Sequence, residues 1–129
     1  MSAMSSVTEG IRISVSPSYW PERSSPESGQ FAFTYRIEII NEGPDPAQLK
    51  TRHGVITDAD GKVEEVRGDG VVGKQPRLFA GERFEYTSWA MLRTPFGTMR
   101  GSYAMLRPDG SSFEARIAEF VLTQPHALQ

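Results

Sequence analysis

FAFTYRIEI, at residues 31–39, is the stretch of sequence that decides the fold. Aromatic and branched side chains occupy every second position, and alanine, threonine or charged residues fill the positions between them. This period of two is typical of an antiparallel strand with one face buried and the other exposed. Nowhere do apolar residues recur at helical spacing over about 12 residues, so the sequence predicts an all-β protein.

The same alternation predicts further strands on either side of this one. They cover residues 11–15, 49–57, 62–67, 82–89, 99–106 and 113–122. Pro17 is expected to end the first of them, because proline cannot donate a hydrogen bond to a neighbouring strand. In the last one the apolar positions shift by one residue near Ala118 and Glu119, which predicts a β-bulge.

Short turn motifs separate the predicted strands. Asp60-Gly61 predicts a two-residue type I′ turn, since that turn needs positive φ at both central residues. Thr94-Pro95-Phe96-Gly97 has the preferred layout of a type I turn, with proline second and glycine fourth. Pro108-Asp109-Gly110 predicts one more hairpin.

About seven short strands with a turn roughly every ten residues point to an antiparallel β-sandwich of the immunoglobulin-like or fibronectin type III-like kind. A small barrel is the alternative architecture. The 129 residues suit a single domain, expected to span residues 1–129 with its core at about 7–125 and flexible ends. Residues 17–29, rich in proline and serine, are expected to connect two strands.

Charge and composition exclude several classes of function. A net charge of −2 gives no overall positive field of the kind that holds nucleic acid, so no nucleic-acid partner is expected. The absence of cysteine removes disulfides, thiolate catalysis and thiolate metal sites, and it fits a reducing compartment. Without a signal-peptide core or about 20 consecutive apolar residues, we expect a cytoplasmic protein with no membrane insertion.

The run Gly68-Asp69-Gly70-Val71-Val72-Gly73 fits the fingerprint G-x-G-x-x-G. Nucleotide-binding folds that use this loop need a helix directly after it, and Pro76 prevents one, so neither a Rossmann site nor a P-loop is expected. In one reading, Gly68, Gly70 and Gly73 form a backbone cradle for a phosphate-containing small molecule, with Arg67 and Lys74 as its cations. In the other reading, the glycines only make a tight connection after a strand.

The sequence gives little support to catalysis or to a cofactor. It lacks the G-x-S-x-G nucleophile elbow, and its acidic residues fall mostly at turns or exposed strand positions. We therefore expect a non-catalytic protein without a cofactor. The only histidines are His53 and His126, and a site that joins His53 to Asp58 or Asp60 is conceivable. No second histidine stands at ligand spacing, so no metal site is predicted.

Two groups of aromatic residues have two interpretations each. Trp89-Ala90-Met91-Leu92 precedes a turn with Phe96 near its tip, and Trp20 lies in the proline-rich connection. These residues either close one end of the sandwich or form an exposed patch for a protein partner. Under the second interpretation, Trp20, Trp89 and Phe96 are the candidate partner contacts, on loops at one end.

The chain resembles the ApaG family, also called CorD, over residues 7–125. The blocks that carry the resemblance are EVRGDGVVGKQPRLFAGERFEYTS, LRTPFGTMRGSYAM, FTYRIEIINE and RHGVITDADG. The resemblance implies a fibronectin type III-like sandwich, with the family's glycine motif at Gly68, Gly70 and Gly73. It also implies a link to cobalt tolerance and magnesium efflux. Related domains in a eukaryotic F-box protein and in a polymerase-interacting protein suggest protein binding.

The chain departs from the family pattern at two positions. The family reads R-H-W where this chain has Arg52-His53-Gly54, and it has glycine where this chain has Trp89. A tryptophan is thus missing at one position and present at another, so we predict that the Trp89 ring lies over Gly54. The leading functional hypothesis is a non-catalytic protein-interaction module. The alternative is a small-anion, pyrophosphate or nucleotide-binding protein that uses the glycine loop.

Overall fold

The computed structural model of the protein describes residues 4–125. Within that range the chain forms nine strands, and two short 3₁₀ turns lie at Pro21–Arg23 and Pro26–Ser28. The strands are β1 (Met4–Thr8), β2 (Ile11–Tyr19), β3 (Phe31–Asn41), β4 (Ala47–Asp58), β5 (Val63–Asp69), β6 (Arg77–Leu78), β7 (Arg83–Leu92), β8 (Phe96–Leu106) and β9 (Ser112–Thr123). Residues 4–6, which lie outside the predicted core, therefore belong to a strand.

Two antiparallel sheets pack face to face around a shared core. One sheet has the order β1-β2-β3-β7 and the other β5-β4-β8-β9, with β6 paired to the start of β4. The predicted antiparallel β-sandwich is therefore confirmed. The apolar residues of the FAFTYRIEI stretch face inward, and the largest fully buried side chains include Phe33, Ile37, Ile39, Tyr103, Met105, Phe120 and Leu122.

The first predicted strand does not end at Pro17. β2 continues to Tyr19, and Pro17 lies opposite Tyr35 of β3. On its other side β2 pairs with β1 only as far as Val15, which lies opposite Met4, the first described residue. Pro17 thus occupies a part of β2 that has no described neighbour on the β1 side, where a missing N–H removes no ladder bond.

The hairpin predicted at Asp60-Gly61 is present, but its turn is not of type I′. Gly61 has a φ of +83°, whereas Asp60 has no positive φ. The Asp58 N–H donates to the Lys62 carbonyl oxygen at 3.0 Å, so three residues form the turn. The Asp58 carboxylate accepts the N–H groups of Asp60 and Lys62 at 2.9 Å each, which stabilises the longer turn.

The other two predicted turns also connect strands. Pro108-Asp109-Gly110 joins β8 to β9, and the Arg107 N–H donates to the Ser111 carbonyl oxygen at 2.8 Å. Residues 93–95 join β7 to β8, so Phe96 and Gly97 of the predicted turn belong to β8 instead, and the hydroxyl oxygen of Thr94 accepts the Ala59 N–H at 3.0 Å. This bond ties two turns together at one end of the sandwich.

The β-bulge predicted in the last strand is confirmed. Phe120 of β9 lies opposite Met99, while Ile117 lies opposite Gly101, so β9 has one more residue than β8 between these pairs. Ala118 and Glu119 of β9 together face the single residue Arg100 of β8. The extra residue keeps both Ile117 and Phe120 in the core although their positions differ in parity.

A second bulge, in β4, is not among the predictions from the sequence. Leu49 lies opposite Met105 and Thr51 opposite Ala104, which leaves Lys50 without a partner on β8. Beyond this bulge Arg52 lies opposite the buried Tyr103. Side chains at paired positions lie on the same face of a sheet, so Arg52 points into the space between the sheets.

Candidate binding cleft

The two long sides of the sandwich are closed to different degrees. On one side β1 lies against β9, and the Arg116 N–H donates to the Thr8 hydroxyl oxygen at 3.1 Å. On the other side β5 and β7 are the free edges of their sheets within residues 4–125. Between these two edges the sheets leave a cleft of about 480 Å³, which we call the open cleft.

The lining of the open cleft is mostly apolar with a few polar groups. Side chains of the core strands form its floor, and residues of β5, β7 and the glycine run form its walls. Its main apolar residues are Ile56, Val66, Val71, Met99 and Ile117, and its main polar residues are Tyr35, Arg52, Glu64, Tyr86, Ser88 and Tyr103. Such a combination of apolar walls and convergent polar groups is typical of small-molecule sites.

Arg52 is the cation that lines the inner part of the open cleft. Its Nη1 donates to the carbonyl oxygens of Asp69 at 3.2 Å and Gly70 at 2.9 Å. Within residues 4–125 no carboxylate oxygen lies within 4.0 Å of its guanidinium nitrogens. The guanidinium is therefore held in place by neutral acceptors, and its charge has no direct counter-ion in the described part of the chain.

Two tyrosine hydroxyls meet across the sheets beside Arg52. Tyr86 of β7 and Tyr103 of β8 are hydrogen-bonded through their hydroxyl oxygens. Burial raises the pKa of Tyr86 to about 12, and burial also raises the pKa of Tyr103 well above its ordinary value. Both hydroxyls thus stay protonated at neutral pH and can donate hydrogen bonds.

At two positions of the glycine run, steric crowding explains why the residue is glycine. A Cβ atom at Gly68 would lie 2.8 Å from the Cζ, Nη1 and Nη2 atoms of Arg52. A Cβ atom at Gly70, whose φ is +63°, would overlap the carbonyl oxygen of Lys74. Gly68 therefore leaves room for the Arg52 guanidinium, and Gly70 lets the backbone fold back on itself.

Two backbone amides of the glycine run and that of the adjoining Lys74 bond to carbonyl oxygens of the protein. The Gly70 N–H donates to the Lys50 carbonyl oxygen at 2.9 Å. Val71 and Lys74 exchange two backbone hydrogen bonds of 2.8 and 2.9 Å around a tight turn, in which Val72 and Gly73 both have positive φ. These three amides would have to leave their carbonyl partners to cradle an anion, which favours the tight-connection reading of the run.

The predicted cations of the anion site lie apart from Arg52. Arg67 is opposite His53 on β4 and is exposed on the outer face of its sheet, where the His53 ring and the Glu65 carboxylate are 3.3 Å apart. Lys74 is exposed at the turn. Neither forms an ion pair with a carboxylate of residues 4–125. The structure thus places Arg67 and Arg52 on opposite faces of the same sheet.

Trp89 does not lie over Gly54, so that prediction is wrong. The Met99 Cε atom lies 3.0 Å from the position that a Cβ atom of Gly54 would take, and no atom of Trp89 lies within 4 Å of it. Trp89 has the same parity as the exposed residues of β7, so its side chain points outward, and it is 60% exposed. Gly54 instead faces the space between the sheets, which Met99 fills from the neighbouring strand.

The three predicted partner contacts lie toward one end of the sandwich but on different surfaces. Trp89 is opposite Thr34 of β3, and the Trp20 N–H donates to the Ala32 carbonyl oxygen at 2.8 Å, two residues along the same strand. Phe96 begins β8 in the other sheet, where strand alternation turns it to the outer face. Trp89 and Phe96 thus lie on the outer faces of different sheets.

The described residues offer little for a metal ion. Among residues 4–125 no group of three or more His, Asp or Glu side chains is arranged to hold one. Asp58 is engaged by the backbone of its turn, and His53 by Glu65. His126 lies outside the described residues. Within the same range, no helix has the length and apolar character needed to cross a membrane.

Arg52, Tyr86 and Tyr103 are not among the residues that the sequence analysis assigns to a site. The apolar pattern of β4 does not reveal the bulge that turns Arg52 inward, because Val55 and Ile56 are both apolar and both buried although their positions differ in parity. The meeting of the two tyrosines has no sequence signal either, since it depends on how the sheets pack.

Comparison with known proteins shows where this fold and sequence recur. The sequence model of the ApaG domain matches residues 21–107. The protein ApaG of Anaeromyxobacter dehalogenans (strain 2CP-C) is 54% identical over 122 residues, which are 95% of this chain and 96% of that protein. The protein ApaG of Rhodospirillum centenum is 52% identical over 122 residues, 95% of this chain and 94% of that protein.

Solved structures agree with these relatives. The crystal structure of an ApaA protein from Bordetella pertussis has a TM-score of 0.88 and 50% identity, and the match covers 91% of this chain and 95% of that one. The C-terminal domain of wzt is only 10% identical, with a TM-score of 0.54, and shows the sandwich fold alone. From the match of its sequence and the identity of its relatives, this chain belongs to the ApaG domain family.

Proposed function

We propose that this chain is a non-catalytic protein-interaction module that holds an extended segment of a partner along the free edge of β7. The observation that supports it best is the exposure of Trp89, 60%, and of Met91, 39%, on a ten-residue strand with one unpaired edge within residues 4–125. An unpaired edge offers its backbone N–H and C=O groups to another strand.

The two free edges differ in how well they are protected against pairing. β5 carries charged side chains at four of its seven positions, which is a common way to prevent edge pairing. The second half of β7, residues 88–92 with the sequence SWAML, has no charge and no proline. Tryptophan and methionine are also enriched at protein interfaces, and tryptophan is a frequent hot spot. β7 is therefore the edge better suited to a partner.

The other predicted contacts have different places in this proposal. Trp20 lies at the same end of the four-stranded sheet as Trp89 but on the other side of β3 from β7, so it serves as a more distant second contact. Phe96 lies on the other sheet and has no role in a contact at β7. The cytoplasmic location proposed with this function rests on the sequence, which has neither a signal-peptide core nor a long apolar run and whose lack of cysteine fits a reducing compartment. A link to cobalt and magnesium homeostasis would act through the protein partner.

Affinity capture with the full chain from extracts of the native organism tests this function. We expect Trp89→Ala to lower recovery of the specific partner at least tenfold, the scale of loss for a hot-spot residue. Val121→Ala is the matched control, because Val121 is 47% exposed but lies on β9 in the other sheet. Equal recovery with wild type and Trp89→Ala would contradict the proposal.

A second candidate function is binding of a pyrophosphate-like or nucleotide anion at the glycine run. Its support is the presence of Arg67 and Lys74, exposed cations without a carboxylate partner in the described part of the chain. Titration with pyrophosphate should shift the amide NMR signals of residues 68–73, and Arg67→Gln should weaken the effect. Unchanged signals at millimolar pyrophosphate would reject it.

A further inference from the structure

We propose that the open cleft binds a small organic monocarboxylate with an apolar body, and that Arg52 holds the carboxylate group. This site adjoins the edge of β7 proposed above for a protein partner and shares Trp89 at its rim, but its anion-binding group, Arg52 of β4, belongs neither to that edge nor to the cations of the glycine-loop anion site. The proposal rests on the hydrogen bonds of Arg52, on the charges that line the cleft, on its two tyrosine hydroxyls and on its size.

The hydrogen bonds of Arg52 leave one side of its guanidinium unused. Both internal bonds are made by Nη1, to the carbonyl oxygens of Asp69 and Gly70. Nε and Nη2 have no acceptor among residues 4–125, and these two nitrogens form the edge that binds a carboxylate through two parallel hydrogen bonds. Because Nη1 is already held, little conformational entropy is lost when an anion binds.

The charges around the open cleft favour an anion with a single charge. The charged side chains that line it are Arg52 and Glu64. Glu64 lies opposite Ile56, four residues from Arg52 along β4, or about 13 Å at the rise of a strand. A doubly charged phosphate would meet one cation and one distant acid, whereas a carboxylate is neutralised by Arg52 alone.

The two tyrosines add a hydrogen-bond donor beside Arg52. One hydroxyl of the Tyr86 and Tyr103 pair donates to the other, so the accepting hydroxyl keeps its own proton free for a further acceptor. Arg52 lies opposite Tyr103 in the register of β4 and β8, and all three side chains line the same cleft. Deprotonation does not remove this donor at neutral pH, because burial raises both pKa values.

The remaining space suits an apolar body of modest size. A cleft of about 480 Å³ lies within the usual range for small-molecule sites. Beyond the polar end its lining is Ile56, Val66 and Met99, with Trp89 at the rim. This role also accounts for part of the glycine run, since Gly68 leaves the room that the Arg52 guanidinium occupies and Gly70 supplies one of its acceptors.

A comparison of an acid with its neutral analogue tests the proposal. Amide NMR titrations of the full chain would use 3-phenylpropionate, hexanoate and indole-3-acetate, and 3-phenylpropan-1-ol as the uncharged control. We expect saturable shifts at residues 52, 68 and 86 with at least one acid, and binding of 3-phenylpropan-1-ol at least tenfold weaker than that of 3-phenylpropionate. Absence of saturable shifts with all three acids, or equal binding of the alcohol, would overturn the proposal.

Matched variants then locate the anion. Arg52→Gln should weaken binding of the responsive acid at least tenfold, while Arg67→Gln, which changes the neighbouring cation on the outer face, should leave it unchanged. Gly68→Ala keeps the charge but places a methyl group against the guanidinium, and it should weaken binding as well. If Arg52→Gln does not fold, Gly68→Ala and the acid-to-alcohol ratio still decide. Equal loss in Arg67→Gln would overturn the assignment to Arg52.

The ligand titration and the capture experiment can reject their two proposals independently. Trp89→Ala is read by partner recovery, and Arg52→Gln by the affinity for a defined acid. A chain that binds the acid but captures no partner would retain the Arg52 site and lose the proposed interaction function. A chain that captures its partner through Trp89 but shows no preference for the acid over the alcohol would lose only the site proposed in the cleft.

Discussion

The two long sides of the sandwich have similar edge strands but are closed to different degrees. On one side β1 meets β9, and on the other β5 and β7 lie apart. β1 and β5 are both short, polar edge strands, with the sequences MSSVT and VEEVRGD. The hydroxyl groups of Ser6 and Thr8 on β1 bond to the backbone of Arg116 on β9. On β5 every residue except Gly68 is exposed, and the cleft stays open beside this strand.

This difference shows how one side of a sandwich can stay open while the core remains packed. Short hydroxyl side chains close the gap between sheets because they reach backbone groups of the facing strand. The charged side chains of β5 stay in water, so the apolar groups and tyrosines behind them line a cleft. Both proposed functions lie on the open side, and the following predictions test how far the two sides differ in energy.

The largest effect is expected from removing equal volumes on the two sides. Val15 on β2 is 1% exposed behind β1, whereas Val66 on β5 is 38% exposed beside the cleft. Val15→Ala should lower the free energy of unfolding by about 2 to 3 kcal/mol, through lost burial and a cavity. Val66→Ala should change it by about 0.5 kcal/mol or less. Urea unfolding of both variants measures the difference, and equal losses would mean that the open side is as well packed as the closed one.

A smaller effect is expected from the tyrosine pair at high pH. Burial raises the pKa of Tyr86 from 10.0 to about 12, so the unfolded chain loses this proton first. The stability linked to the protonated hydroxyl is complete below pH 10 and is lost as the pH rises toward 12. Between pH 10 and pH 12 the free energy of unfolding should fall by about 2 kcal/mol more in wild type than in Tyr86→Phe. Parallel pH profiles in urea unfolding would show that the hydroxyl is not desolvated.

The smallest effect is expected from single hydroxyl groups on the two sides. Thr8→Val removes the acceptor of the Arg116 N–H on the closed side and should cost about 1 kcal/mol. Thr87→Val on β7 is the control, because the exposed Thr87 side chain forms no hydrogen bond within residues 4–125. Urea unfolding should show little change for Thr87→Val. Equal effects of the two substitutions would indicate that the hydroxyls of β1 do not close the sandwich.

Much of the fold is predictable from residue parity along the strands. The alternation at residues 31–39 identifies the central strand β3, and the phase change near Ala118 and Glu119 identifies the bulge in β9. The prediction that Pro17 ends β2 is wrong, because the effect of a proline depends on whether its strand has a neighbour on that side. The type I′ turn at Asp60-Gly61 is wrong because the Asp58 carboxylate stabilises a longer turn.

The candidate site is predictable only in part. The glycine run is visible in the sequence, but its interpretation as a cradle for an anion depends on amides that the folded chain uses for its own carbonyl groups. The prediction that Trp89 lies over Gly54 is wrong because strand alternation turns Trp89 outward, which the pattern of β7 itself indicates. Strand register and the packing of the two sheets, on which the contacts of Arg52 and the tyrosine pair depend, cannot be read from local patterns.

The sequence by itself determined the half-buried strands of an all-β fold, because the period of side chains along a strand is local and persists wherever the strand pairs. It also determined the positions of the hairpins, since glycine and proline act on their own backbone. Only the tertiary structure decided that Arg52 faces the open cleft, that Gly68 makes room for its guanidinium, and that Tyr86 meets Tyr103. These contacts join residues of consecutive strands, but the local pattern does not specify them, because they arise from the bulge in β4, strand register and sheet packing.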